Sequence, residues 1–211
     1  MYDLVSLGKA ARQASMKLRT SDTNTRNTAL CAIAASLREN MPEILEANRL
    51  DLATAKAAGI HPVIGCEVYV DPNGHTCREG KSQNHLILLA ENEEGYYNLT
   101  KLVSIANTDG FYYKPRIDHE LLARYSKGLI CSSACLGGEI PQFIIQNNIE
   151  AAYDRARLYS DIMGKDNFFL EIQSNIIPEQ ALVNKTLVEM SKKLDLPLIA
   201  TNDAHYLKRS D

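Results

Sequence analysis

The sequence predicts an α/β fold: an incomplete, distorted βα barrel over residues 61–211, preceded by an all-helical segment over residues 1–60. Three observations lead there. First, composition breaks near Ala58-Gly59-Ile60. Residues 1–60 hold 12 alanines and one aromatic, Tyr2, whereas residues 61–211 hold 10 alanines and 13 aromatics. The charge balance changes sign across the same point, from +2 to -5. Second, the first part shows only helical spacing of apolar residues. Third, the second part alternates β-type runs with helical ones, as repeated βα units do.

In the helical part, Leu4, Leu7, Ala11, Ala14 and Leu18 mark one face at helical spacing. Asp22 or Thr23 suits the N-cap of a second helix, whose apolar face is Leu30, Ile33, Ala34 and Leu37. Pro42 fits the first turn of a third helix, with Ile44, Leu45 and Leu52 inward, and Gly59 fits its C-terminal stop.

In the second part, Val63–Val70 and His85–Ala90 read as strands, separated by the turn signal Asp71-Pro72-Asn73-Gly74. Tyr97–Ala106 and Asp118–Tyr125 read as helices, and Leu129-Ile130-Cys131 as a short strand. Helix Ala151–Met163, strand Phe168–Ile172, helix Pro178–Leu194 and the apolar strand Leu196–Ala200 follow. In parallel βα architectures chemistry gathers at the carboxyl ends of the strands.

Net charge of -3 supplies no basic field for holding nucleic acid through its backbone. No apolar run is long enough to span a bilayer, and Met1-Tyr2-Asp3-Leu4 does not resemble a signal peptide. The five cysteines include no CxxC pair, which suits reduced thiols in a cytosolic protein.

Candidate ligands concentrate at strand ends. Asp203 and His205 are two apart after the last apolar run, so in a strand both side chains reach one point. Glu67 places a carboxylate inside an apolar strand, where it needs a partner or a cation unless it faces solvent. His85 opens a strand, and Cys135 lies in a small-residue turn after another. Each has a plainer alternative: a hydrogen-bonded histidine, a small buried thiol, a surface Asp-x-His turn. Glu171 lies in another apolar run and is expected to pair with a cation on a neighbouring strand. Asp118-His119 is expected to cap a helix. Lys114 and Arg116 could hold a phosphate, or belong to a solvated loop above packed tyrosines.

The motifs from about Ala58 to Asp211 resemble the polymerase-and-histidinol-phosphatase (PHP) domain of bacterial DNA polymerase III alpha subunits. They are His61–Val70, Asn84–Ala90, Gly110–Asp118, Ser133–Glu139 and Thr201–Leu207. The resemblance implies a distorted βα barrel whose strand ends bind up to three divalent ions, zinc, manganese or iron. By matching positions it implies Glu67, His85, Cys135, Asp203 and His205 as metal ligands. It implies phosphoesterase or proofreading-type exonuclease chemistry within DNA replication, in the cytoplasm. The partners it implies are the rest of the alpha subunit and the proofreading subunit, with DNA met only indirectly.

The sequence departs from that family at its start. No H-x-H and no T-D-H-G motif occurs in the 211 residues, and Asn175 stands where many relatives have histidine. The expected site is therefore impaired, catalytic residues are left unassigned, and no polymerase activity is expected from this chain. A non-catalytic scaffold that binds the polymerase body is the alternative.

Residues 1–60 resemble instead the N-terminus of gamma-glutamyl phosphate reductase, through Gly8–Ala11, Ala29–Ala34 and Glu43–Asn48 with Asp51-Leu52. That makes the chain read as a chimera joined near Ala58-Gly59-Ile60. A fragment of proline biosynthesis is the third reading, resting on residues 1–60 alone and carrying no cofactor site. With its first βα units replaced, the sheet is expected to be open, with Val63–Val70 at an edge and residues 1–60 loosely packed or detached.

Overall fold

A computed structural model describes residues 3–80, 83–202 and 204–206. The chain divides into two units, Met1–Pro62 and Val63–Asp211.

The first unit is three helices: α1 (Leu4–Arg19), α2 (Thr23–Glu39) and α3 (Met41–Ala57). Local chemistry accounts for their bounds. Asp3 caps α1 through the amides of Val5 and Ser6, and Asp22 caps α2 through the amide of Thr25. Pro42 sits in the first turn of α3. Gly59 adopts φ +72°, and the amides of Gly59 and Ile60 close back on the carbonyls of Lys56 and Ala55. That bond pair is a Schellman stop. None of the three helices has a buried residue.

The second unit opens with β1 (Gly65–Val70), β2 (Asn84–Ala90), α4 (Glu93–Thr108), β3 (Arg116–Ile117) and α5 (His119–Arg124). It continues with β4 (Leu129–Ser132), α6 (Glu139–Ile145), α7 (Ile149–Met163), β5 (Phe168–Gln173), α8 (Pro178–Leu194) and β6 (Leu198–Thr201). The sheet order is β3-β1-β2-β4-β5-β6. β1 with β2 and β2 with β4 are antiparallel; the other three pairings are parallel. The architecture is a mixed α/β sheet with helices, as expected for a partial barrel, and among the described residues no pairing closes it. β1 is not the edge strand. β3 flanks it, though only at Tyr69 and Val70.

Strand alternation sorts the sheet into two faces. Val68, Val70, Leu86, Leu88, Leu129, Cys131, Phe168 and Leu170 enter a single core cluster. Leu99, Leu102 and Ala106 of α4 meet it, with Ala152, Ala156, Tyr159 and Met163 of α7 and Val183, Leu187 and Met190 of α8. These are helical spacings of three and four. The alternate strand residues, among them Glu67, Tyr69, His85, Ile87, Ser132, Glu171 and Thr201, lie on the opposite face. That face carries the polar chemistry.

The turn after β1 is locked by a buried ion pair. Asp71 and Arg116 are both fully buried and bonded to each other. Arg116 also donates to the carbonyls of Gly110, His75 and Cys77 and lies over the ring of Tyr112. It is therefore consumed by the fold, neither a phosphate ligand nor a solvated loop residue, the two alternatives the sequence left open. Asp118 caps α5 as expected, through the amide of Leu121, and its second oxygen binds the amide and ring of His75. No described helix is long and apolar enough to cross a membrane.

Candidate metal centre

Three elements bring Glu67, His85 and Cys135 to one point. Antiparallel pairing sets Tyr69 opposite His85, and Glu67 lies two residues from Tyr69 on the same face. His85 is thereby diagonal to Glu67, with its Nδ1 3.3 Å from Glu67 Oε1. Cys135 follows β4 in the turn leading to α6, and its Sγ lies 3.4 Å from the same Nδ1. The three ligand atoms lie within 4.8 Å of one another.

The turn that presents Cys135 is tightly specified. Ala134 is buried in a left-handed conformation, φ 59°, a strained state for a residue with a Cβ. The His85 amide donates to the Gly137 carbonyl. A Cβ on Gly137 would stand 3.0 Å from His85 Nδ1, so glycine lets the imidazole lie against the turn.

The two separations from His85 Nδ1 suit a transition metal. In tetrahedral coordination two N or O ligands lie about 3.3 Å apart, and an N and an S ligand about 3.6 Å apart. Glu67 and His85 are half-exposed, leaving room for further ligands. A carboxylate, an imidazole and a thiol form a donor set that favours zinc or iron over magnesium. The neighbouring Cys66 and Cys131 are not part of it. Burial raises the Cys66 thiol, with Glu67 adding to the effect. Burial and then Glu171 push Cys131 well above the ordinary thiol value.

Of the other expected ligands, His205 is exposed and stands outside the three-residue group. Asp203 lies outside the described residues. Glu171 is buried, but among the described residues it has no cation partner. Its carboxylate is held by the hydroxyls of Ser132 and Thr201 and the amide of Gln173. The expected interstrand salt bridge is thus replaced by neutral donors at adjacent strand ends.

Two features were not read from the sequence. The Lys114 ammonium lies 5.4 Å from the centre of the Tyr69 ring, whose edge meets the His85 ring 5.2 Å away. It is the half of the Lys114–Arg116 pair that stays on the surface near the candidate site. The second is a quartet around buried Glu139: buried Tyr159 and the part-buried His119 and Arg155. Its only sequence signal is the acidic residue after Gly137-Gly138.

The family model described as PHP domain matches residues 9–175. The match opens within α1 and runs past β5. DNA polymerase III subunit alpha of Borreliella burgdorferi is 48% identical over 161 residues, covering 74% of this chain and 14% of that protein. The Thermus aquaticus subunit is 46% identical over 162 residues, covering 74% of this chain and 13% of that protein. The Aquifex aeolicus subunit is 44% identical over 165 residues, with coverage of 74% and 14%. The chain spans about one seventh of the length of these curated relatives.

Proposed function

The chain belongs to the PHP domain family, and from that membership we propose that it is a segment of the PHP domain of a bacterial replicative DNA polymerase III alpha subunit, retaining part of a divalent-metal phosphoesterase site. The observation that carries the proposal is the convergence of Glu67, His85 and Cys135 within 4.8 Å. When bound, a metal there would supply a Lewis acid for a phosphate oxygen and lower the pKa of a coordinated water. The protein's part is positioning. Glu67 and His85 are held in register by β1 and β2, the Gly137 carbonyl fixes the His85 backbone, and the Cys135 turn delivers the thiolate. Lys114, on the rim above Tyr69, is placed to meet a phosphate.

Asp203 and His205 belong to the proposed ligand set by their matching positions. The missing H-x-H and T-D-H-G motifs reduce the expected number of ions, so exonuclease-type turnover is proposed to be weak. Zinc, manganese and iron are the candidate ions. The proposed setting is cytoplasmic DNA replication, with the remainder of the alpha subunit and the proofreading subunit as partners and DNA met through them. A scaffold without turnover fits the same three-ligand geometry.

For residues 1–60 we propose an origin in a reductase-like N-terminus joined near Gly59. The composition break and the division of the chain at Pro62 support this. One long genomic read across codons 50–70 tests it, and an uninterrupted polymerase gene with no such junction would end it.

The metal proposal predicts close to one tightly held ion per chain after removal of loose metal. Glu67→Gln, His85→Ala and Cys135→Ser should each weaken zinc binding at least about tenfold, and cleavage of a generic phosphodiester should fall with occupancy. Retention of well under one ion, with affinity unchanged in all three variants, would sink the metal reading and leave the scaffold.

A further inference from the structure

The cluster around Glu139 has no role in the site as described, yet it lies four residues from Cys135. Glu139 is the first residue of α6 and is buried. Its Oε2 accepts from the Tyr159 hydroxyl at 2.8 Å and lies 3.0 Å from His119 Nε2. Its Oε1 stands 3.2 Å from Arg155 Nη2, an ion pair without hydrogen-bond alignment. Arg155 Nη1 lies 3.2 and 3.1 Å from the two nitrogens of His119. One carboxylate thus ties the start of α6 to α5 and α7. Burial, then the Glu139 charge, push the Tyr159 phenol well above its ordinary pKa, so it remains a donor throughout the working pH range.

The other end of the Cys135 turn is tied to the sheet. The Ser133 amide donates to the Phe169 carbonyl, and Ser133 Oγ accepts from the Glu171 amide. Between these two anchors the chain is compressed. Ala134 is left-handed, Gly138 donates to the Cys135 carbonyl, and a Cβ on Gly138 would stand 2.1 Å from the Ser133 carbonyl oxygen. The Gln142 amide also holds the Leu136 carbonyl at 2.6 Å. A strained turn persists only where its surroundings over-determine it.

We infer that Glu139 is a positioning residue for the Cys135 thiolate: gripped by Tyr159, His119 and Arg155, it fixes the C-terminal end of the strained turn that aims Cys135 at Glu67 and His85. The inference rests on the metal reading for its consequence and on the turn alone for its geometry. Removing the negative charge, or the Tyr159 hydroxyl, lets the turn relax from the left-handed state and carries Sγ away from His85 Nδ1. Glu67 on β1 keeps its place, whereas His85 is tied to the same turn through the Gly137 carbonyl and shares in the change.

Cobalt(II) added to the full chain is the probe, because a cobalt–thiolate bond has its own charge-transfer absorption. Glu139→Gln and Tyr159→Phe should weaken cobalt binding about tenfold and lower that absorption per bound ion. Met190→Ala, a core truncation in α8, serves as the control of comparable destabilisation and should leave both unchanged. A metal-free measurement runs alongside: the rate at which iodoacetamide alkylates Cys135, followed by peptide mass, should rise severalfold in Glu139→Gln and Tyr159→Phe but not in Met190→Ala. Wild-type affinity, absorption and alkylation rate in both variants would overturn the inference, as would equal losses in Met190→Ala. If the wild-type chain takes up no cobalt, the metal reading falls, and the alkylation rates alone decide the role of Glu139.

Discussion

The helices of the two units are equally well started and stopped, yet only one set is built into a core. α1 and α2 have side-chain caps, α3 has an N-terminal proline and a glycine stop, and none of their residues is buried. α4, α7 and α8 have comparable ends and place Leu99, Leu102, Ala156, Tyr159 and Leu187 in one cluster with the sheet. Leu30 is 63% exposed, and Leu102 is fully buried. Capping and propensity decide where a helix begins and ends, within the reach of four residues. Whether its apolar stripe stabilises anything depends on a second surface, which the sheet supplies for α4, α7 and α8.

Core truncation is the strongest way to break this contrast. Phe168→Ala, at a fully buried position stacked on Tyr159, should cost about 3–5 kcal/mol. Leu30→Ala should stay within about 0.5 kcal/mol, as exposed substitutions do. Urea unfolding of each variant gives both numbers. A loss of several kcal/mol for Leu30→Ala would mean that the first unit buries its apolar face in solution, and the contrast would disappear.

The same distinction explains what was legible in the sequence. α8 runs Pro178–Leu194, the bounds read from its proline and periodicity, and Asp22, Pro42, Gly59 and Asp118 act as the caps and stops their types suggest. α6 follows directly on the small-residue turn around Cys135 and carries Pro141 in its first turn, where a proline is tolerated, so its sequence offers little helical pattern. β3 escaped notice because two residues after Pro115 carry no period. Glu67, His85 and Cys135 became candidate ligands through resemblance, and their meeting depends on the β1–β2 register. Arg116 read as a phosphate cation or a solvated loop residue because its partner, Asp71, lies 45 residues away. Burial and pairing at that distance leave no local signature, and the same holds for the Glu139 quartet.

A smaller test compares two aspartates with the same local task. Asp22 and Asp118 both cap helices, but Asp118 also holds the amide and ring of His75 across 43 residues. Burial raises the Asp118 carboxyl, and the Leu121 amide and the His75 contacts outweigh it, leaving the group below its ordinary value. A folded-state pKa below the unfolded one stabilises above the unfolded value, near about 3.9, and that stability is lost as pH falls through the folded one. Asp118→Ala should therefore cost about 1.5–3 kcal/mol at neutral pH, with the gap to wild type closing below about pH 4. Asp22→Ala should lower helical content without moving the unfolding midpoint of the second unit. A constant Asp118→Ala penalty down to pH 2 would show that packing, not the charge, is what Asp118 contributes.

The smallest expected effect isolates backbone geometry. Gly59 is left-handed at φ +72°, and a Cβ there would meet nothing within 4 Å. Gly59→Ala therefore removes no contact and creates no clash; its cost is the left-handed penalty alone, about 1 kcal/mol. That cost falls on the Schellman bonds from Gly59 and Ile60 to Lys56 and Ala55. Hydrogen exchange should show the Ile60 amide losing protection and α3 fraying from its last turn, while amides of β2 and β4 keep theirs. If the β2 and β4 amides also exchange faster, the helical unit is energetically coupled to the sheet, and its exposed faces do more than its own caps require.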